Sequence, residues 1–186
     1  QTEDSLAYLR DAHQYKNFLL LELPKGDWAV TTLRQFFFSS WQKILFQRLK
    51  KTADIQLAAI AEKSLKETNY HVRWSGEWVI RLGDGTVESR RRMLVALELL
   101  WPYTGELFQG SQYSNEVIDY RELQEDWNKQ VTQVLQVATL GPELNSLRSS
   151  TRWMQSGGME GRHTEHLGFL LAEMQFLQRA YPGATW

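Results

Sequence analysis

Two long segments with helical periodicity follow one another along the chain, separated by a link of only a few residues. Residues 28–51 repeat apolar side chains at steps of three and four, and residues 54–82 do the same. An aspartate precedes the apolar repeat of each segment, Asp27 and Asp54, where its side chain is placed to cap the first helical turn. A helix of ~24 residues is ~36 Å long. Because the link is so short, the two helices are predicted to be antiparallel neighbours in a bundle.

The remaining periodic segments are shorter and also indicate helices. We predict helices over residues 3–22, 87–108, 120–138 and 164–179, with a kink in the second of these where Trp101 precedes Pro102. Residues 143–162 are polar and contain several glycines, and we predict that they form an ordered surface excursion. No internal repeat, low-complexity segment or linker divides the chain. The sequence therefore predicts one all-α domain over residues 1–186.

The amino-acid composition argues against several classes of binding partner. The 186 residues carry a formal net charge of −1, which provides no basic field to attract nucleic acid or an anionic membrane. The chain contains no cysteine, which excludes disulfides, thiolate metal sites and cysteine nucleophiles and agrees with a reducing compartment. No apolar run reaches the ~18 residues of a membrane span. We therefore expect a cytoplasmic protein that binds neither nucleic acid nor membrane.

One predicted helical face combines a carboxylate, an imidazole and two indoles. Its members are spaced by four, three and four residues: Glu67, His71, Trp74 and Trp78. They therefore share the predicted inner stripe. Di-iron sites in helical bundles use Glu-x-x-His, with ligands at i and i+3. Here Thr68 stands three residues before His71, and Glu67 lies about 100° away around the helix. The pattern is that of a metal-binding helix of a di-metal site in which one ligand is missing. The alternative is that His71 is a core histidine with a hydrogen bond to Glu67.

A second candidate for chemistry stands at the start of the last predicted helix. His163 and His166 are three residues apart, a spacing at which one metal ion could bridge two imidazoles. No second acidic partner follows on that face until Glu173, so polar packing or a partner contact is the better interpretation. Glu165 complements the helix dipole at the same end. Further along, five apolar positions are predicted to close the bundle core: Leu167, Leu170, Leu171, Met174 and Leu177.

The two long helices carry more aromatic surface than one helix pair covers. The rings concerned are those of Phe36, Phe37, Phe38, Trp41, Trp74 and Trp78. Each aromatic ring buries ~150–250 Å² when enclosed, and soluble monomers leave only a few hundred Å² of contiguous apolar surface open. We therefore expect these rings to be covered from outside this sequence, by helices that the sequence lacks and that are present as a separate piece, by a second copy of the chain or by a partner chain.

Several motifs resemble those of a known family. They include Arg34-Gln35-Phe36-Phe37, Lys66-Glu67, Tyr70-His71 and Arg81-Leu82-Gly83-Asp84-Gly85-Thr86. The match is densest in the tail, at His163-Thr164-Glu165-His166-Leu167-Gly168 and Leu171-Ala172-Glu173-Met174-Gln175. On these residues the chain resembles the C-subunit family of bacterial phenylacetyl-CoA ring epoxidase, the multicomponent monooxygenase of aerobic phenylacetate degradation. The similarity covers essentially the whole sequence.

The resemblance implies a ferritin-like antiparallel helical bundle. Members of the family usually begin with further residues that hold the first two bundle helices, so we expect the bundle here to be incomplete at its N-terminus. Compared with the related catalytic A subunit, the ligand glutamate corresponds to Thr68, and the carboxylate of the preceding helix corresponds to Ser39. The resemblance thus implies a degenerate site at Ser39, Glu67, Thr68 and His71 without metal or cofactor. Di-iron is expected in the A subunit instead.

The function implied by the resemblance is that of a non-catalytic structural subunit of the monooxygenase. Its expected partner is the catalytic A subunit, and self-association stays open. We predict that His163, Glu165, His166 and the terminal Trp186 contact the partner. Two other classes of function stay open on the sequence. One is a di-iron oxygenase active in its own right with ligands from elsewhere, and the other is a general helical binding module.

Overall fold

The computed structural model describes residues 2–110, 118–150 and 153–184, and these residues form helices and turns without a strand. The helices are α1 (Glu3–Ala7), α2 (Trp28–Leu49), α3 (Ile55–Gly83), α4 (Val87–Leu100), α5 (Tyr120–Val137), α6 (Gly141–Ser149) and α7 (His166–Ala180). The predicted all-α class is confirmed. The contacts divide the chain into two compact units, one of residues 25–154 and one of residues 1–24 with 155–186. The single domain over residues 1–186 stays a prediction.

Helix α2 is the central helix of the larger unit, because α3, α4 and α5 all pack against it. Asp27 caps its start by accepting a hydrogen bond of 3.1 Å from the main-chain N–H of Val30. Its buried side chains lie around most of its circumference: Ala29, Val30, Thr32, Leu33, Phe36, Phe37, Ser39, Ser40, Trp41 and Ile44. A helix that is apolar on more than one face is expected to be enclosed by its neighbours.

Helix α3 packs on α2 through small residues. Asp54 caps it as predicted, with hydrogen bonds of 3.0 Å from the main-chain N–H groups of Gln56 and Leu57. Its buried residues are Ala61, Thr68, Ser75, Gly76, Val79 and Gly83. A Cβ atom added to Gly76 would lie 3.4 Å from the ring of Phe36, so small residues on α3 make room for large ones on α2. The two predicted long antiparallel helices are confirmed, with bounds within two residues of those predicted.

The aromatic core of the larger unit forms around Trp127 of α5. Its ring centroid lies 5.5 Å from that of Phe37, 6.1 Å from that of Trp101 and 5.3 Å from that of Phe108. Its indole N–H donates a hydrogen bond of 2.9 Å to the main-chain oxygen of Phe37. The prediction that the aromatic rings need cover from outside is thus wrong for three of them, which the chain itself buries: Phe36, Phe37 and Trp41.

Two prolines lie at helix boundaries, one just after the end of a helix and one in the first turn of another. Helix α4 ends at Leu100, and two 3-10 turns follow, Trp101–Tyr103 and Gly105–Phe108, so Pro102 ends the helix rather than kinking it. Pro142 lies in the first turn of α6, where its missing N–H costs nothing. The surface excursion predicted over residues 143–162 is therefore helical in its first part.

The three adjacent arginines of α4 bond to side chains and main chain of the same unit. Arg90 donates to Glu143 at 3.0 Å and to the main-chain oxygen of Thr139 at 2.6 Å. Arg91 and Arg92 both bond Glu88, and these hydrogen bonds lower the pKa of its carboxyl group to about 2. The cluster is a set of local ion pairs on an exposed helix face.

The smaller unit joins both ends of the chain. The helix predicted over residues 3–22 is wrong, because only Glu3–Ala7 is helical and two 3-10 turns follow, Ala12–Gln14 and Leu19–Leu21. Two main-chain oxygens of this segment do not bond within a helix. They accept hydrogen bonds from side chains near the other end of the sequence instead. Of the five predicted core positions in α7, Leu167 and Leu171 are buried.

Candidate functional site

The two hydroxyls of the predicted degenerate site are buried and bonded within their own helices. Ser39 is 0% exposed, and its hydroxyl donates to the main-chain oxygen of Gln35. Thr68 is 5% exposed, and its hydroxyl donates to the main-chain oxygen of Ser64 at 2.9 Å. Such bonding to the carbonyl four residues earlier satisfies a hydroxyl inside a helix. Neither position offers a carboxylate to a metal ion.

The other two residues of the predicted site lie on the outside of α3. The side chain of Glu67 is 78% exposed and that of His71 is 40% exposed, with 3.9 Å between Oε1 and Nε2. This distance is too long for a hydrogen bond. The prediction that both face inward is wrong, because the buried stripe of α3 runs through Thr68 and Ser75 instead. The four predicted positions therefore do not converge on one point with ligand atoms.

Di-iron chemistry in a helical bundle needs about four carboxylates and two imidazoles. Within the described ranges 2–110, 118–150 and 153–184, no group of three or more histidine, cysteine, aspartate or glutamate residues is placed to hold a metal ion. At the four predicted positions, the donor set consists of two bonded hydroxyls and one exposed Glu/His pair. These residues do not fit a di-iron centre.

The larger unit also has an open groove of about 520 Å³ between α3 and α5. Phe36, Gly76 and Val134 are among its apolar lining residues, and Lys43 and Arg73 are among its charged ones. None of the four predicted site positions lines it.

A buried carboxylate in the smaller unit forms hydrogen bonds through both of its oxygens. Glu22 is 1% exposed, and Oε1 accepts from Asn17 Nδ2 at 2.7 Å and lies 2.6 Å from His163 Nδ1. Oε2 accepts from the main-chain N–H of Thr164 at 2.7 Å and from its hydroxyl at 2.8 Å. A buried carboxylate is tolerated when each oxygen is satisfied in this way.

The imidazole of His163 lies between two acceptors. Its Nδ1 faces the Glu22 carboxylate, and its Nε2 lies 3.1 Å from the main-chain oxygen of Tyr15. The His163 side chain is only 7% exposed, so its ring is part of the packing of this unit. We name Asn17, Glu22, His163 and Thr164 the carboxylate clasp, because they join the two ends of the chain.

Two further contacts support the carboxylate clasp. Gln175 of α7 is 5% exposed, and its amide donates to the main-chain oxygen of Arg10 at 2.8 Å and to the Tyr15 hydroxyl at 2.9 Å. A Cβ atom added to Gly158 would lie 2.0 Å from the main-chain oxygen of Asn17, so the backbones approach as closely as only glycine permits. The clasp is therefore part of the packed interior of the smaller unit.

The predicted partner-contact residues have separate positions. His163 is buried in the clasp, Glu165 is exposed, and His166 is partly exposed at the first turn of α7. Trp186 lies outside the described residues. Sequence reasoning missed Glu22, although one signal was present: a single acid interrupts the run from Phe18 to Leu23.

Comparison with known proteins gives two matches. A family model described as "Phenylacetic acid catabolic protein" matches residues 1–186. The chain is 44% identical over 191 residues to a protein of Escherichia coli (strain K12) that is named as the C subunit of 1,2-phenylacetyl-CoA epoxidase. That alignment covers 99% of this chain and 74% of the relative.

Proposed function

We propose that this chain, which belongs to the phenylacetic acid catabolic protein family, acts as a structural C subunit of the enzyme that epoxidises phenylacetyl-CoA. The observation that carries the proposal is the 44% identity to a protein named as the C subunit of that epoxidase, over 99% of this chain. The bundle of α2 to α5 agrees with the ferritin-like fold class predicted for the family.

A structural rather than catalytic role is supported by the ligand positions. Ser39 and Thr68 have no carboxylate, and their hydroxyls are committed to their own helices. Glu67 and His71 are exposed, so they do not form a site enclosed from water. We propose that the chain holds no metal or other cofactor, and that the di-iron centre belongs to a catalytic A subunit that this chain scaffolds.

The proposal also includes the location of the protein in the cell. No helix in the described part of the chain is long and apolar enough to cross a membrane. We propose a cytoplasmic complex, which agrees with the absence of cysteine from the sequence.

Mixing the purified chain with the purified A subunit tests this function. We expect one hetero-complex by light scattering after size exclusion, with iron only in fractions that contain the A subunit. Failure of the two proteins to associate at micromolar concentration, or stoichiometric iron in this chain alone, would refute the proposal.

Restoring two carboxylates at the degenerate positions should not create an iron site. In the double variant Ser39→Asp with Thr68→Glu we expect far less than one iron per chain and a lower melting temperature, because both positions are buried and enclosing a charge there is costly. Asn69→Glu, on the exposed side of α3, is the control and should change neither quantity. Iron content by mass spectrometry and thermal unfolding provide the readouts. One tightly bound iron per double-variant chain would contradict the prediction.

Glu165 and His166 are proposed to contact the A subunit at the first turn of α7. Replacing both with alanine should weaken A-subunit binding about tenfold, the loss typical of an interface contact of moderate energy. The isolated chain should keep its melting temperature, because neither side chain belongs to the carboxylate clasp. Glu67→Ala with His71→Ala removes the same two residue types from α3 and serves as the control. Lower thermal stability with unchanged affinity would assign the pair to the fold.

A further inference from the structure

Helix α7 exposes a broad apolar face. Six large side chains on it are between 42% and 72% exposed: Phe169, Leu170, Met174, Phe176, Leu177 and Tyr181. Leu170, Leu177 and Tyr181 follow a helical spacing of seven and four residues, which places them on one side of the helix. The opposite side, with Leu167, Leu171 and Gln175, is buried in the smaller unit. We call the six residues the α7 face.

The size of the α7 face is that of an interaction surface. Enclosed aromatic rings bury ~150–250 Å² each, so three rings exposed by 72%, 62% and 59% and three partly exposed aliphatic side chains leave roughly 500–700 Å² open. The largest apolar patch on a soluble monomer is ~300–600 Å² and is often functional. One side of a standard protein interface buries ~800 Å². The face therefore supplies most of the area that one partner contributes to a stable complex.

A single charged residue lies within the α7 face. Glu173 is four residues after Phe169 and four before Leu177, so it lies between the two rows of apolar side chains. It is exposed, and it forms no ion pair with the residues that the structure describes. A partner that covers the face must provide a cation to Glu173, because a carboxylate enclosed without one is strongly disfavoured.

A second copy of the chain that pairs through the middle of α7 does not meet this requirement. Glu173 stands midway along α7 (His166–Ala180), so a two-fold antiparallel pair of α7 helices centred on that residue brings two Glu173 carboxylates together. The single arginine of α7, Arg179, already bonds the main-chain oxygen of Arg10 at 3.0 Å and lies 3.3 Å from an Asp11 carboxylate oxygen. A helix without other lysine or arginine also lacks the cationic rim by which interfacial helices bind anionic membranes.

We propose that the α7 face binds an apolar helix of the A subunit that carries a lysine or arginine opposite Glu173. This inference rests on the proposed function and specifies the surface by which the two subunits associate. A helical partner matches the spacing of the face, because side chains repeated every three and four residues pack into the grooves of a neighbouring helix.

Matched substitutions in the chain, titrated with purified A subunit in a calorimeter, test the surface. Leu177 is 48% exposed and Leu99 of α4 is 49% exposed, so Leu177→Glu and Leu99→Glu place the same charge at equally exposed leucines. We expect Leu177→Glu to weaken binding at least ~30-fold, and Leu99→Glu less than twofold. Glu173→Lys should weaken binding more than Glu173→Gln, because it places like charges opposite each other.

The outcomes distinguish a failure of the proposed binding surface from a failure of the proposed function. If the unaltered chain binds no A subunit, the proposed function itself fails. If the unaltered chain binds and both leucine variants bind equally well, the function stands and the α7 face is not the surface. Concentration-dependent dimerisation that Leu177→Glu abolishes would assign the face to a second copy. A lower melting temperature for Leu177→Glu alone would assign it to packing within the chain. Either result would overturn the inference.

Discussion

Replacing Glu22 with glutamine is expected to lower the free energy of unfolding by roughly 3–5 kcal/mol, because buried donors left without an acceptor cost about 1–3 kcal/mol each, and more when the bond involves a charge. The carboxylate accepts from Asn17, His163 and Thr164, and it is 1% exposed. A glutamine amide nitrogen is a donor, so wherever it points it faces another donor. The negative charge that strengthens these hydrogen bonds is lost as well.

Denaturant unfolding of the full chain measures this effect. Glu67→Gln is the matched control, because its side chain is 78% exposed and its nearest partner atom is 3.9 Å away. We expect the control to change the unfolding free energy by less than ~0.5 kcal/mol. If Glu22→Gln behaves like the control, the carboxylate clasp does not hold the two ends of the chain together.

Replacing Trp127 with alanine is expected to cost roughly 3–5 kcal/mol, the range measured for large aromatic side chains in protein cores. Trp127 is 1% exposed and contacts the rings of Phe37, Trp101 and Phe108. Its loss leaves a cavity and also removes the donor to the main-chain oxygen of Phe37.

Trp153→Ala provides the control for this second prediction, because Trp153 is 76% exposed. Urea unfolding followed by circular dichroism should place its midpoint close to that of the unaltered chain, and the midpoint of Trp127→Ala far below it. Equal midpoints for the two variants would show that the core does not depend on the Trp127 ring.

The sequence predicted the long helices well because their signals are local. Asp27 and Asp54 stand where a cap is needed, and the apolar repeats of α2 and α3 extend over many turns. The link between them left no topology other than antiparallel neighbours. The start of α6 was missed because Gly141 and Pro142 signal both the end of one helix and the start of another.

The candidate site was harder to predict because its partners are far apart in sequence. Glu22 and His163 are separated by 141 residues, and a sequence pattern does not indicate that they meet. Neighbouring residues of a helix point about 100° apart, so an inner stripe that includes Glu67 as well as Thr68 is too wide by that angle. In α7, periodicity identifies apolar positions equally well whether the chain or a partner covers them.

The most direct test of the proposed structural role is the rate of phenylacetyl-CoA epoxidation by the purified A subunit in its complete electron-transfer system. The rate is measured without this chain, with the untreated chain, and with the chain after treatment with a chelator. If the chain is a scaffold without a metal of its own, the chelator-treated chain should raise the rate as much as the untreated chain does. A rate that rises only after iron is restored to this chain, or that does not depend on the chain at all, would contradict the account.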